Sequence, residues 1–388
     1  SMTVLKDASS TALYGNKAAN GVVLITTKKG RAGKGRLTVD VSTGITSRAQ
    51  QEYERIDAFE YYPIMWEAYR NSLAIPGIDD PADVADANQQ ASDNIAGFLG
   101  YNPFNVADDQ IVLTDGSMNP SAQFKGAYGE DRDWLGGITQ QGQRQNYNVN
   151  YSGATDKVDY YISVGHLNEK GWIIESDFKR YTGRANVNIQ ATDWFRTGVS
   201  IGATKSAGNM AQTGGSSSYV NPIRFTRQMG PIYPIHFLDP VTGDYVLDSD
   251  GKKQYDIYDN RTSNSSTGRH VIAEIKWDED IEERTQLMAK TYGEVTFLKD
   301  FKFTANLSFD QNFYYNSFFN NKLVGDGAPG GRAYKTSTRR NSANFNQLLN
   351  YVRSFGDHNL NILAGHESYS NKYNSLSGGK SEIIADGN

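Results

Sequence analysis

The chain contains no cysteine. Disulfides and thiolate metal sites are therefore excluded. No apolar run approaches the ~20 residues that a membrane-crossing helix needs. That excludes a helical membrane protein but not a barrel, whose signal is spread over alternating positions. Aliphatic residues are scarce: hydrophobic residues of every kind make up 38%, and mean hydropathy is −0.60. An excess of one charge is missing too. With 39 basic and 44 acidic residues the net charge is −5, which leaves no nucleic-acid footprint. The five histidines, at 166, 236, 270, 358 and 366, do not cluster. Nothing matches H-E-x-x-H, and no Ser-His-Asp order stands out. Ser1-Met2-Thr3-Val4 has neither the basic start nor the apolar core of a signal peptide. The chain is then either cytoplasmic or an internal piece of a longer one.

What is plentiful points elsewhere. Tyr 24, Phe 17 and Gly 38 over 388 residues suit a β-barrel with aromatic girdles and tight turns. From Arg36 onward a period of two dominates. In "RLTVDVSTGIT", Leu37, Val39, Val41 and Ile45 share one face. In "RYTGRANVNIQ", Tyr181, Gly183, Ala185, Val187 and Ile189 oppose Arg180, Thr182, Arg184, Asn186 and Asn188. "FKFTANLSFD" repeats the pattern from Phe301 to Asp310. Further segments run near 146–153, 158–167, 195–205, 287–298, 344–353 and 359–368. A helix, with period 3.6, cannot keep such alternation. The reading is about nine antiparallel strands in up-and-down order.

The connections also alternate. Short turns are expected at Gly153–Lys157, Ala191–Asp193, Lys299–Asp300 and Gly356–His358. Long polar links are expected from Lys205 to about Glu283 and from Asn316 to Arg340. Short turns at one end and long loops at the other describe an outer-membrane barrel. About ten tilted residues per strand span the apolar band. A soluble sandwich or lipocalin-like barrel also alternates, but sandwich strands are shorter and their loops long at both ends. One segment departs from the pattern. Ile56–Leu73 is expected to form a helix interrupted or started near Pro63, with Phe59, Tyr62, Met65, Trp66 and Tyr69 as a packing stripe.

Candidate chemistry is sparse. "ALYGNKAANG" (Ala12–Gly21) is no phosphate loop, because its strand follows the glycines and Lys17 precedes Ala. A helical turn or two capped by Asp7 or Ser9, with Gly15 past its end, explains it better. Asn20-Gly21 would then turn the chain into a strand over Val22–Thr27. "LDSDGKKQYD" offers Asp248 and Asp250 but lacks the closing Glu of a calcium loop, so hairpin turns at Gly243 and Gly251 are expected instead. No catalytic, cofactor or metal residues are assigned. The polar strand faces with Arg180, Arg184, Asn186 and Asn188 could touch a polar substrate or simply water. Trp134 and Tyr219, on loops, suit stacking on sugars or loop packing equally.

"VLKDASSTALYGNKAANGVVLITTKKG" (Val4–Gly30) strongly resembles the end of the plug domain in SusC/RagA-family TonB-dependent outer-membrane transporters of Bacteroidota. Asp133–Gly202, with "FKRYTGRANVN", and "RTQLMAKTYGEVTFLKDFKFTANLSFD" resemble that family's early barrel strands. The resemblance covers nearly the whole chain and is weakest in the long loops. It implies a plug end at residues 1–30, marked by Asp7, Tyr14, Gly15, Asn20 and Gly21. A linker at 31–35 and the first part of the barrel at 36–388 would follow. The family barrel has about 22 strands, so about 13 would lie outside this chain. It further implies import of a glycan, less often a peptide, without catalysis and without a cofactor. The implied partners are a SusD-like surface lipoprotein acting as a lid, TonB with ExbB–ExbD, and outer-membrane lipid. A passive porin and a soluble carbohydrate-binding protein are the alternatives at this point.

Overall fold

A computed structural model describes residues 2–7, 19–25, 33–210, 221–257, 261 and 268–383. Its dominant element is one nine-stranded antiparallel sheet, in which every strand pairs with its sequence neighbours. The strands are β3 (Gly33–Thr46), β4 (Gly142–Ala154), β5 (Val158–Lys170), β6 (Asp177–Thr192), β7 (Phe195–Asn209), β8 (Glu279–Phe297), β9 (Phe301–Asn320), β10 (Arg332–Phe355) and β11 (His358–Ser381). A separate two-stranded ladder pairs β1 (Met2–Leu5) with β2 (Val22–Ile25). The sequence reading anticipated β2 but not β1. Gly21 enters β2 at φ +94, where a side chain would be strained and its Cβ would meet the Leu5 carbonyl oxygen at 3.0 Å. Tyr14, Gly15, the expected helical turn, Tyr219 and part of the 31–35 linker lie outside the described residues.

All nine expected strands are present, and most run well past their expected ends toward the long links. β9 continues to Asn320 and β10 begins at Arg332, so the fourth link is only residues 321–331. The cause is chemical. In "DQNFYYNSFFN" (Asp310–Asn320) and "RAYKTSTRRN" (Arg332–Asn341) both faces carry polar or aromatic groups, so period-two hydropathy fades while ladder bonding persists. Turns at 155–157, 193–194, 298–300 and 356–357 close one end of the sheet. Links 47–141, 171–176, 210–278 and 321–331 leave from the other.

The sheet is inverted relative to a soluble domain. Directly paired residues share a face. One face carries Val39, Val149, Val164, Ile201, Leu307 and Phe345, and these side chains are exposed; Val164 keeps 59% of its surface. The opposite face carries Asp40, Asn148, Ser163, Arg184, Ser200, Lys290 and Ser308.

The apolar band also runs obliquely across the ladder. In β3 it centres on Val41. Following the register from Val41 through Tyr147, His166, Tyr181, Lys205, Thr285 and Phe313 leads to Arg339 of β10. The apolar run of β10, Phe345 to Tyr351, lies further down that strand. The intermediate strands fall on the same line. The drift is about one residue, or ~3.3 Å, for each ~4.8 Å step between strands. A level apolar belt therefore requires strands inclined by roughly 35–40°, the tilt of a barrel wall. No described helix is long and apolar enough to cross a membrane.

The conventional hydrophobic core sits outside the sheet, in the long links. The first link forms α1 (Ala58–Leu73), α2 (Pro81–Leu99) and α3 (Trp134–Ile138). The third forms α4 (Pro222–Gln228) and α5 (Val271–Trp277). α1 starts at Ala58, not at Pro63, because Asp57 and Glu60 make a capping box ahead of it. Its expected stripe does pack: Tyr62 and Trp66 are buried, with Phe59, Met65 and Tyr69 against them. α2 begins at Pro81 behind the Asp80 cap and ends at Gly100 in the left-handed region.

Candidate functional site

Two surfaces meet the requirements of a binding site: the polar sheet face and the folded link body at its open end. On the polar face, Arg184, Asn186 and Asn188 project together from β6, with Arg180 four residues nearer the links. Asn188 donates to Asp159 Oδ1 at 2.8 Å and accepts from the Tyr292 hydroxyl at 3.0 Å. Ser200 donates to Asn186 Oδ1 at 2.5 Å. Asn306 reaches Asn346 at 2.9 Å on the far strands. These bonds run from strand to strand and fix the side chains as a lattice of amides and hydroxyls.

Arg184 lies where two hollows adjoin. One, of about 360 Å³, is lined by Asp40, Asn148, Asn150, Tyr161 and Thr182. The other, of about 380 Å³, includes Lys290, Asp310 and Asn344. A third, of about 530 Å³, runs between Asn186, Arg196, Tyr292 and Glu294. Amides, hydroxyls and a few paired charges offer donors and acceptors to a hydroxyl-rich or amide-rich solute. No group of three or more candidate metal ligands occurs among the described residues.

Trp134 is not part of this face. It is 2% exposed, inside the link body, and its indole N–H donates to the Tyr233 carbonyl at 2.9 Å. Phe225 and His270 pack on its ring. The "DWLGG" stretch reads as a surface loop, but the apolar third link folds over it. An open stacking role for Trp134 is thereby replaced by a packing one.

The link body is one unit built from distant segments. The Tyr233 hydroxyl donates to the Leu99 carbonyl at 2.7 Å and the Tyr128 hydroxyl to that of Pro231 at 2.7 Å. Arg55 donates to the carbonyls of Thr226 and Met229 at 2.7 and 2.5 Å. Asp131 accepts from the His236 backbone N–H at 2.7 Å and lies 2.6 Å from its Nδ1. Gly126 and Gly243, both at positive φ, touch backbone to backbone; a Cβ on Gly126 would meet the Gly243 carbonyl carbon at 2.5 Å. Asp248 accepts from the N–H groups of Asp250 and Lys252, so it holds the expected Gly251 turn.

Two titratable groups are buried at the seam with the fourth link. His270 caps α5. Its Nε2 donates to the Ile235 carbonyl at 2.7 Å, and its Nδ1 accepts from Ala273 at 3.1 Å. Burial pushes its pKa down to about 3, so the ring is neutral. Burial pushes Glu274 up to about 7, against the opposing pull of Arg269 at 3.0 Å. Arg269 also pairs with Asp326, which Arg332 approaches at 3.4 Å.

No protein-family model matches the chain. Among curated proteins it is similar to TonB-dependent receptor P3 of Formosa agariphila, 26% identical over 376 residues, covering 94% of this chain and 30% of that protein. It is similar to TonB-dependent receptor SusC of Bacteroides thetaiotaomicron, 23% identical over 379 residues, covering 94% and 32%. Among solved structures, the RagAB peptide importer in its open-open state matches with a TM-score of 0.67 at 22% identity, over 99% of this chain and 40% of that one. Its closed-closed state matches with a TM-score of 0.66. The chain thus spans about a third of the length of the curated relatives it matches.

Proposed function

We propose that this chain, a TonB-dependent receptor of the SusC/RagA kind, supplies wall strands and folded outer links to an outer-membrane importer. The observation that carries this reading is the oblique apolar band on the exposed sheet face. A soluble sheet has no reason to expose it, and a level lipid belt around tilted strands requires that slope. The lattice around Arg184, Asn186 and Asn188 then faces the lumen, where a solute passes. Residues 1–30 act as the end of the plug, 31–35 as its linker, and 36–388 as wall with extracellular loops. The edges of β3 and β11 pair with further strands, because exposed ladder edges in a membrane carry unsatisfied backbone groups.

The solute is an oligosaccharide, which the amide and hydroxyl lattice suits. A SusD-like lipoprotein covers the link body from outside, and TonB with ExbB–ExbD pulls the plug. Import makes and breaks no bond, so no catalytic residue is needed. A peptide cargo is the second reading, favoured by the likeness to a peptide importer. Deletion of the full-length gene separates these: loss of uptake of labelled oligosaccharide supports the first, and loss confined to labelled oligopeptide supports the second. Unchanged uptake of both, or recovery of the protein outside the outer-membrane fraction, contradicts the function.

A further inference from the structure

The apolar sheet face is not bounded alike at its two ends. Toward the short turns, among the described residues, it carries one arginine, Arg353, and His358 but no lysine. Toward the links it carries a descending line of lysines on three consecutive strands, Lys170, Lys179 and Lys205. Lys170 stands opposite Asp177, Lys179 opposite Ala207, and Lys205 opposite Tyr181 and Thr285. Each lies two residues lower in the register than the last, so the line descends toward the turns in the same sense as the apolar band. Arg339 of β10 stands on the same row as Lys205, and Lys372 of β11 lies two residues lower. All five side chains are exposed. None of the three lysines forms an ion pair among the described residues. The acidic groups of this rim are Asp177, Glu279 and Glu283, and Asp177 accepts from the Asn209 backbone N–H at 3.0 Å. Tyr147 and Tyr181 sit two residues below the row of Lys179, flanking His166, which stacks on Tyr181 at 4.6 Å.

We propose that this lysine line, with the tyrosine and apolar surface beneath it, docks an anionic lipid of the outer leaflet. The lipid's headgroup phosphate is held by Lys170, Lys179 and Lys205, and its acyl chains lie on the band. The charge complementarity is specific in place: cations lie at headgroup height, aromatic rings at the interface, and aliphatic side chains below. A soluble anion would gain only the first of these contacts.

The inference rests on the membrane reading above, and the test separates the two. The full-length protein, purified in neutral detergent, is titrated with diphosphorylated lipid A and with phosphatidylcholine while bound lipid is counted by native mass spectrometry. The expected result is at least tenfold preference for the phosphorylated lipid. In Lys170→Gln/Lys179→Gln/Lys205→Gln the preference falls at least fivefold, while Lys252→Gln/Lys253→Gln in the link body retains it. Equal binding of both lipids, an unchanged triple variant, or displacement by millimolar inorganic phosphate overturns the lipid inference while leaving a membrane-located protein. Absence of the wild-type protein from the outer membrane overturns both readings together.

Discussion

Val41 of β3 and Arg339 of β10 stand on the same rung of the sheet, yet they occupy different levels of the apolar band. Val41 is the middle of its strand's apolar run. Arg339 lies beyond the end of that of β10, among water-facing residues. The offset is what turns a list of alternating strands into a tilted wall, and it dictates which substitutions hurt.

Ile201 sits near the middle of the band and Thr204 faces the other way. Ile201→Arg in the full-length protein is expected to cost about 2–4 kcal/mol of folding stability, because the charge must enter hydrocarbon at mid-depth. Thr204→Arg enters the polar lumen and is expected to cost less than about 1 kcal/mol. Urea titration of the protein folded into liposomes reads both. Equal costs would contradict the assignment of faces.

Trp134 joins the first and third links. Trp134→Ala removes a fully packed ring and the bond to Tyr233, and is expected to cost the link body about 3–5 kcal/mol. Hydrogen exchange in residues 225–238 should accelerate while that of β6 and β7 stays unchanged. Loss of solute binding with unaltered exchange would instead restore a direct stacking role.

Much of the wall was legible in the sequence, and the physical reason is the period of two. Tyr181–Ile189 and Phe301–Phe309 each alternate an apolar face with a polar one, and composition records that alternation directly. The strand extensions at Asp310–Asn320 and Arg332–Asn341 were not legible, because both of their faces carry polar or aromatic groups and alternation fades. The link core was legible only in part. α1 announces itself by the Phe59–Tyr69 stripe, but the partners of Trp134 lie near residues 225, 233 and 270. No local pattern connects stretches so far apart. Arg184, Asn186 and Asn188 were legible as one face, while their ties to Asp159, Ser200 and Tyr292 depend on register.

The buried pair at the link seam sets a pH dependence. Glu274 has a raised folded pKa of about 7, so its contribution is fully present below its unfolded value near 4.5 and is lost as pH rises through about 7. His270 has a folded pKa lowered to about 3, so its contribution is present above 6.5 and is lost as pH falls toward 3. Between 4.5 and 6.5 the two slopes oppose each other. Glu274→Gln should leave the His270 slope alone, so stability of the link body rises with pH to 6.5. The wild-type minus variant difference should change by at most about 3 kcal/mol across 4.5–7, read by hydrogen exchange in α5. A difference independent of pH would contradict a buried, titrating Glu274.

Arg184 stands where two hollows of the polar sheet face adjoin. Arg184→Ala and Asn186→Ala are each expected to lower labelled-solute uptake by about tenfold, the loss of one or two hydrogen bonds to the cargo. Amounts in the outer membrane should stay unchanged. Normal uptake in both variants would move the cargo path away from β6.

The most direct test uses the absence of cysteine in this chain. Single cysteines are placed along β6 of the full-length protein, in a background without other reactive cysteines, at Gly183, Arg184, Ala185, Asn186, Val187 and Asn188. They are probed in intact outer membranes with a small water-soluble maleimide and a lipid-confined quencher of an attached fluorophore. The account predicts strict alternation: 184, 186 and 188 react from water, while 183, 185 and 187 resist it and are quenched from lipid. Uniform labelling along the strand, or the opposite parity, would contradict a wall with its polar face toward the lumen.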